Sequence, residues 1–275
     1  MFGKKFNLDL EALISQVVNG RGYLHYGYWE SGHQGEFTLA RVGLAQQHYF
    51  DKMVSVFPPG VQSILDVGSG TGSNALALVN RGYQVDCVCP SSHLNQIARA
   101  KLPPACQIHE TRFEDYRESA RYDLLLFSES FHYLDTRAAL KQIDRIAKKS
   151  VVIFDYFIRE GSSERKFIRH RDFKDAIVQE LGDRFVISED LDLTDKISPT
   201  FEALDQIKNR FLKPFVAQSL EDLRREHRLT NLLVRLLLKK PLQKLFRKSD
   251  RYTSFVQNYE YRLIRLDRIA GAPPA

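Results

Sequence analysis

The stretch "ILDVGSGTGSNALAL", Ile64–Leu78, runs from an apolar segment through an acid and three alternating glycines into a second apolar segment. The first segment reads as a buried strand ending at Asp66 and Val67, and a helical rhythm starts just past Gly72. Gly68, Gly70 and Gly72 let the turn between them be tight and bring bare backbone to a ligand. Open α/β sheets bind ligands at this place, the carboxyl end of a strand. Asp66 puts negative charge there, awkward for a pyrophosphate but suited to a cation. The expectation is a cationic nucleoside ligand in space left free by the glycines. A dinucleotide site and a purely structural turn are the alternatives.

Outward from this turn, short apolar runs alternate with helical ones. "VQSILDV", "YQVDCVC", "CQIH", "YDLLLFSE" and "SVVIFDY" read as strands, and helices begin near Ser73, Ser91 and Thr136. Continuous apolar runs fit strands covered on both faces, hence a parallel sheet. Upstream, Leu8–Val18 reads as a helix, "NGRGYLHYGYWESGHQGE" as an aromatic loop, and Phe37–Phe57 as a helix closed by Pro58 and Pro59. Downstream, Ser163–Leu181 reads as a charged helix, "RFVISEDLDL" as a strand and Pro199–Lys248 as a long helical region. "SFVQNYEYRLIRLDR" (254–268) alternates as a half-exposed strand does.

The fold class expected is therefore α/β: a doubly wound, Rossmann-like, mostly parallel seven-stranded sheet with an antiparallel last strand. An N-terminal helical cap precedes it and a helical insertion comes before the last strand. The layout is a single domain: cap and aromatic loop over 1–57, ligand-binding core over 58–195, helical lid over 196–250 and last strand over 251–270.

Hydrophobic residues make up 43% and charged residues 27% of the 275, which excludes a disordered or fibrous chain. The net charge of +6 is local: between Lys208 and Arg251, thirteen Lys/Arg face four Asp/Glu, a net +9 that leaves −3 elsewhere. Cys87, Cys89 and Cys106 form neither a CxxC pair nor a cluster with His, so no metal and no disulfide framework is expected. "LLVRLLL" is broken by Arg235 and is far shorter than the roughly 20 residues a membrane span needs. The N-terminus has no signal-peptide core, and a cytoplasmic location is expected.

The glycine-rich motif resembles the first motif of class I S-adenosylmethionine-dependent methyltransferases, and the resemblance continues in register over roughly Tyr23–Leu193 and again in the last strand. It implies S-adenosylmethionine as cofactor, with Asp66, Gly68, Ser69, Gly70 and Gly72 in its site. There is one departure. Most of the family ends the second strand with an acid that binds the ribose hydroxyls. Here "VDCVCPSS" has Cys89 at that position, followed by Pro90, and Asp86 lies three residues too early. A branch that includes tocopherol methyltransferases and cyclopropane fatty acid synthases also lacks the acid. "FEDY" falls where the adenine-side acid of the family usually sits, so the resemblance implies Glu114 or Asp115 as an adenine contact, with an exposed turn acid as the alternative.

"LHYGYWE" (24–30) is similar to a Tyr-rich stretch that lies over the cofactor in tocopherol-type and sterol methyltransferases, implying that Tyr26 and Tyr28 cover it. The bland alternative is an aromatic anchor for the N-terminal helix. "LLFSESFHYLD" (125–135) follows the fourth strand, so Ser128–His132 emerges at the ligand-binding edge. Glu129 and His132, three apart, can face one space if the turn is helical. The matching motif of sterol and tocopherol methyltransferases implies that Glu129 stabilises positive charge or takes a proton, and that His132 bonds the acceptor or acts as base. Both could instead merely fix the loop.

"RREHRLTNLLVRLLLKKPLQKLFRKSDR" (224–251) combines Leu at helical spacing with dense Lys/Arg. It fits a lid with solvated basic side chains, a lid that also touches a membrane surface or an apolar substrate, or a phosphate-binding patch for nucleic acid. Pro241 is expected to break its helix in two. The absence of an RNA-binding module or target-base motif argues against nucleic acid. The resemblance implies methyl transfer to a small, largely apolar acceptor, prenylated, polyketide-derived or lipid-like, at carbon or oxygen. A non-methylating rearrangement on the same cofactor and RNA methylation are the competing readings.

Overall fold

The apolar runs become strands. In the computed structural model, which describes residues 22–30, 38–119, 121–247 and 250–271, they are β1 (Ser63–Val67), β2 (Gln84–Val88), β3 (Ile108–His109), β4 (Tyr122–Ser128), β5 (Ala147–Ile158), β6 (Phe185–Asp192) and β7 (Tyr259–Arg268). They form one sheet in the order β3-β2-β1-β4-β5-β7-β6, parallel from β3 to β5, with β7 antiparallel to β5 and β6. This is the doubly wound α/β architecture expected. The strand order reverses between β1 and β4, so the crest above their carboxyl ends is the topological switch point.

Helices α1 (Leu39–Val54), α2 (Ser73–Val79) and α3 (Ser92–Arg99) cover one face, and α4 (Thr136–Ile146) and α5 (His170–Leu181) the other. The two-residue period of a strand splits the core. Leu65, Val67, Leu125 and Phe127 pack with Leu140, Ile143 and Phe173, while Ile64, Leu124 and Leu126 pack with Phe50, Met53 and Leu78. Leu140 has no solvent exposure, and Leu140→Ala would cost about 2–5 kcal/mol. Ser91 Oγ accepts from the Leu94 N–H and Asp135 Oδ1 from the Ala138 N–H. Each such cap is worth about 1 kcal/mol and fixes where α3 and α4 begin above the sheet.

After β6 the chain makes α6 (Thr194–Ile197), α7 (Pro199–Ile207), a π-helical turn (Lys208–Leu212), α8 (Lys213–Glu226), α9 (Arg228–Leu237), α10 (Lys239–Phe246) and α11 (Arg251–Asn258), then enters β7. The helical insertion before the last strand is thus present, in several pieces. Three sequence readings need correction. The charged helix starts at His170, not Ser163, because Ile168 O accepts from the Ile158 N–H and Phe167 packs on Tyr156, which ties this stretch back to β5. The last strand starts at Tyr259. The five residues before it alternate as a strand does, yet they lie in α11, which is capped by Asp250 and stacks Phe255 on Phe201 at 4.2 Å. Finally, the break credited to Pro241 falls at Leu238, and Pro241 sits in the first turn of α10, where a missing N–H is harmless. The helix read over Leu8–Val18 lies outside the described residues.

Candidate functional site

The glycine turn closes the carboxyl end of β1. Gly68, Gly70 and Gly72 have φ of +75°, +55° and +75°, a region that any L side chain pays to enter. Their missing side chains do not face open space, and this corrects the sequence reading. A Cβ on Gly68 would lie 2.3 Å from Ser130 Cβ, one on Gly70 3.0 Å from Leu24 Cδ1, and one on Gly72 3.0 Å from Ala98 Cβ. Glycine is required here for chirality and for close packing of the turn against Ser130 in the loop after β4, the aromatic loop and α3.

What the crest offers a ligand is a set of buried polar atoms. Asp66 is 1% exposed and its Oδ2 has no hydrogen-bond partner; neither do Ser69 Oγ and Asn95 Oδ1, also buried. Burial pushes the Asp66 carboxyl up to about 7, so ionising it without a partner is costly. Cys89, likewise buried, donates its N–H to His109 O, and its carbonyl accepts from Asn95 Nδ2 at 3.0 Å. Asn95 Nδ2 also reaches Glu110 Oε2 at 3.3 Å. Glu110 stands just past β3, beside the position where the acid is missing, while Pro90 is exposed next to it. Asp86 is engaged elsewhere, accepting from the Gln107 N–H and the Tyr122 hydroxyl. Of the two adenine-side acids, Glu114 turns one oxygen to Arg112 and the Asp135 N–H, and its Oε2 is buried without a partner. Asp115 is exposed, with Arg117 at 4.0 Å.

The aromatic loop is fastened over this crest. Thr71 Oγ1 donates to Gly22 O, Gln46 Nε2 to His25 O, and the Tyr28 N–H to Ala45 O. Thr200 Oγ1 accepts from the Gly27 N–H and from Trp29 Nε1. Gly27 is needed because a Cβ there would lie 2.6 Å from Ala45 Cβ. His25 stacks on Tyr49 at 4.1 Å, and burial pushes its imidazole down to about 4. Tyr26 meets Phe201 at 4.9 Å and Tyr261 at 6.2 Å, while Tyr28 stays half-buried against the α1 side. The described part of the loop is therefore fastened to the glycine turn, to α1 and to Thr200 of the insertion.

Glu129, one residue past β4, has φ +53°, the sole positive φ of a non-glycine among the described residues. Such an outlier persists only where its surroundings hold it. Its Oε1 accepts from the Tyr26 N–H at 2.8 Å and from the Tyr261 hydroxyl at 2.6 Å. Tyr261 in turn bonds Tyr49, to which Ser128 Oγ donates. The carboxylate thus joins β4, the aromatic loop and β7.

His132 lies in a 3-10 turn, Phe131–Tyr133. Its Nδ1 lies 2.8 Å from Asp155 Oδ1, and Asp155 Oδ2 accepts its backbone N–H at 3.1 Å. Tyr133, Tyr156 and Phe167 surround the ring at 3.9–5.2 Å. Nε2 is buried without a partner. A carboxylate that accepts from Nδ1–H leaves a lone pair on Nε2. Glu129 and His132 reach the same aromatic cluster from different sides, since Tyr156 lies 6.4 Å from Tyr261. Sequence reasoning missed Asp155, whose signal was a lone acid inside "SVVIFDY". It also missed Tyr261, Asn95 and Glu110, which only the folded chain brings to this crest.

The donor groups of S-adenosylmethionine, an ammonium, a ribose diol and an adenine amino group, match these acceptors. Asp66 Oδ2, Asn95 Oδ1 and Glu114 Oε2 are buried without partners, and Glu110, bonded to Asn95 and 3.9 Å from Arg99, stands just past β3. Comparison with known proteins agrees. Residues 65–154 match the family described as methyltransferase domain. The chain is 33% identical over 136 residues to the O-methyltransferase cnsE of Penicillium expansum, covering 46% of this chain and 48% of that one. The chain spans half or less of the length of the curated relatives it matches. Among solved structures, geranyl diphosphate C-methyltransferase from Streptomyces coelicolor A3(2) superimposes with a TM-score of 0.64, at 16% identity, over 94% of this chain and 92% of that one. The [4+2]-cyclase SpnF does so with a TM-score of 0.63, also at 16% identity, over 96% and 95%.

Proposed function

We propose that this class I S-adenosylmethionine-dependent methyltransferase domain moves a methyl group to a hydroxyl oxygen of a small, largely apolar acceptor, with His132 taking the proton. The observation that carries the oxygen assignment is the His132–Asp155 pair, with Nε2 buried and unpartnered among aromatic rings. The cofactor supplies an already activated methyl group. What remains for the chain is to orient the nucleophile and to remove its proton.

Asp155 holds the imidazole with Nε2 as acceptor and steadies the charge that forms when the proton arrives. Asp66 and Ser69 hold the methionyl end, and the turn at Gly68, Gly70 and Gly72 sets their position. Glu110, with Asn95, takes the ribose hydroxyls that Cys89 cannot, beside Pro90, and Glu114 takes the adenine side. Tyr26, Tyr28 and Ser128 belong to the roof, and Glu129 acts through it as a positioning residue. The apolar acceptor is supported by the rings around His132: Tyr133, Tyr156 and Phe167.

The test is a panel of phenolic, enolic and lipid-like alcohols incubated with methyl-labelled cofactor, with S-adenosylhomocysteine read by mass spectrometry. A labelled ether that disappears in His132→Ala supports the reading. A product without S-adenosylhomocysteine would instead favour the rearrangement chemistry, and full turnover by His132→Ala would remove the base.

A further inference from the structure

The helical insertion wears its apolar side outward. In α9, Leu229, Leu232, Leu233, Leu236 and Leu237 recur at i, i+3, i+4, i+7 and i+8, one stripe of a helix. An amphipathic helix ordinarily turns that stripe to the core. Here Leu229 and Leu237 are 79% and 80% exposed, and the other three are more than half exposed. The helix is turned this way by its polar side. Asn231, buried, donates Nδ2 to Leu220 O at 2.6 Å, and Arg235 Nε donates back to Asn231 Oδ1. Phe211 and Phe215, from the π turn and α8, and Phe246, from α10, add exposed rings to the same insertion. Monomeric soluble surfaces rarely gather apolar side chains in this way.

The charges around the stripe choose its occupant. Between Glu226 and Asp250 the sequence holds seven Lys/Arg and no acid. Arg228, Lys239, Lys240 and Arg247 are exposed and form no ion pair among the described residues. A second copy meeting this face about a two-fold axis would bring two cationic rims together. No helix of the described residues is long and apolar enough to cross a membrane, and α9, at ten residues, spans only about 15 Å. Apolar stripe, basic flanks and short length are what a helix lying in the plane of a lipid interface needs.

We infer that α8, α9 and α10 form a docking surface for an anionic lipid bilayer, with the leucines of α9 entering the headgroup–acyl boundary and the lysines and arginines contacting lipid phosphates and carboxylates. This surface stands on its own, whatever reaction the domain performs.

The test is co-sedimentation of the full chain with vesicles of phosphatidylcholine containing 30% phosphatidylserine. Binding should be at least tenfold weaker to phosphatidylcholine alone and should fall in 0.5 M salt. Leu233→Glu with Leu236→Glu should lose binding at least tenfold while keeping the circular dichroism spectrum and melting temperature of the parent, since both side chains are already exposed. Leu233→Trp should show an emission blue shift and quenching by brominated acyl chains, on anionic vesicles only. The inference is overturned if the chain ignores anionic vesicles, or if the glutamate variant binds as well as the parent. It is also overturned if light scattering shows a dimer that the glutamate variant dissociates, or if structured RNA competes for the stripe and lipid does not.

Discussion

The crest above β1 and β4 and the insertion helices α8 to α10 put similar material to opposite use. At the crest the apolar residues point inward and a few polar atoms, Asp66 Oδ2, Asn95 Oδ1 and His132 Nε2, are buried without partners. In α9 a polar residue, Asn231, is buried and fully bonded, and the leucines stand in solvent. A buried unpaired polar group is costly and an exposed leucine stripe is uncommon. Each region is therefore incomplete in its own way, one lacking hydrogen-bond donors and the other lacking an apolar cover. The comparison teaches that the first calls for a small polar ligand and the second for an extended surface.

The largest expected effect falls on the crest. His132→Ala should lower turnover about 10²–10⁴-fold, with S-adenosylhomocysteine affinity unchanged in calorimetry. Asp155→Asn should lose less, because Nδ1 keeps an acceptor while the charged imidazole loses its carboxylate partner. Equal losses of affinity and turnover would make His132 structural. Next comes Asp66→Asn. The folded Asp66 carboxyl is raised from 3.8 to about 7, so its stabilising effect is complete below about pH 4 and is lost as pH rises through 7. Replacing it should therefore stabilise the ligand-free protein above pH 7, by up to roughly 4 kcal/mol, while weakening ligand binding. Denaturant unfolding at pH 5 and pH 8 checks the sign.

Gly68→Ala comes third, at about 3 kcal/mol or more, because a left-handed φ and a contact 2.3 Å from Ser130 Cβ act together. Differential scanning calorimetry measures it, and an unchanged melting temperature would mean that the turn accommodates a side chain beside Ser130. Glu129→Gln keeps an acceptor for the Tyr26 N–H and the Tyr261 hydroxyl but removes the charge, at about 1 kcal/mol. Amide exchange at Tyr26 should rise, reporting a loosened roof. The smallest effect belongs to the insertion. Leu236→Ser should stay within about 0.5 kcal/mol of the parent in stability, and a loss comparable to that of Gly68→Ala would erase the contrast between the two regions.

Most of the sheet was legible because strands buried on both faces leave unbroken apolar runs, as in "YDLLLFSE", and because strand, glycine turn and helix follow one another directly in "ILDVGSGTGSNALAL". Legibility stopped where an element's environment comes from elsewhere in the chain. Ser254–Asn258 alternates like a strand but docks Phe255 on Phe201 and becomes helix. The period of α9 was readable, but which side faces protein was not, since Asn231 and Leu220 O decide it together. At the site, Glu129 and His132 stood out by motif, whereas Asp155 and Tyr261 lie 23 and 132 residues from the groups they bond. The space expected at the glycines proved to hold Ser130, Leu24 and Ala98, because a missing side chain can serve packing as well as a ligand.

The most direct measurement is calorimetric titration of the full chain with S-adenosylhomocysteine, whose ammonium can pair with Asp66, at several pH values from 5.5 to 8. The account predicts saturable binding whose affinity falls up to about tenfold per pH unit below 7, and a weaker, pH-independent response from Asp66→Asn. Binding that ignores pH in the parent, or no heat at millimolar nucleoside, would contradict a ligand seated on the carboxyl end of β1.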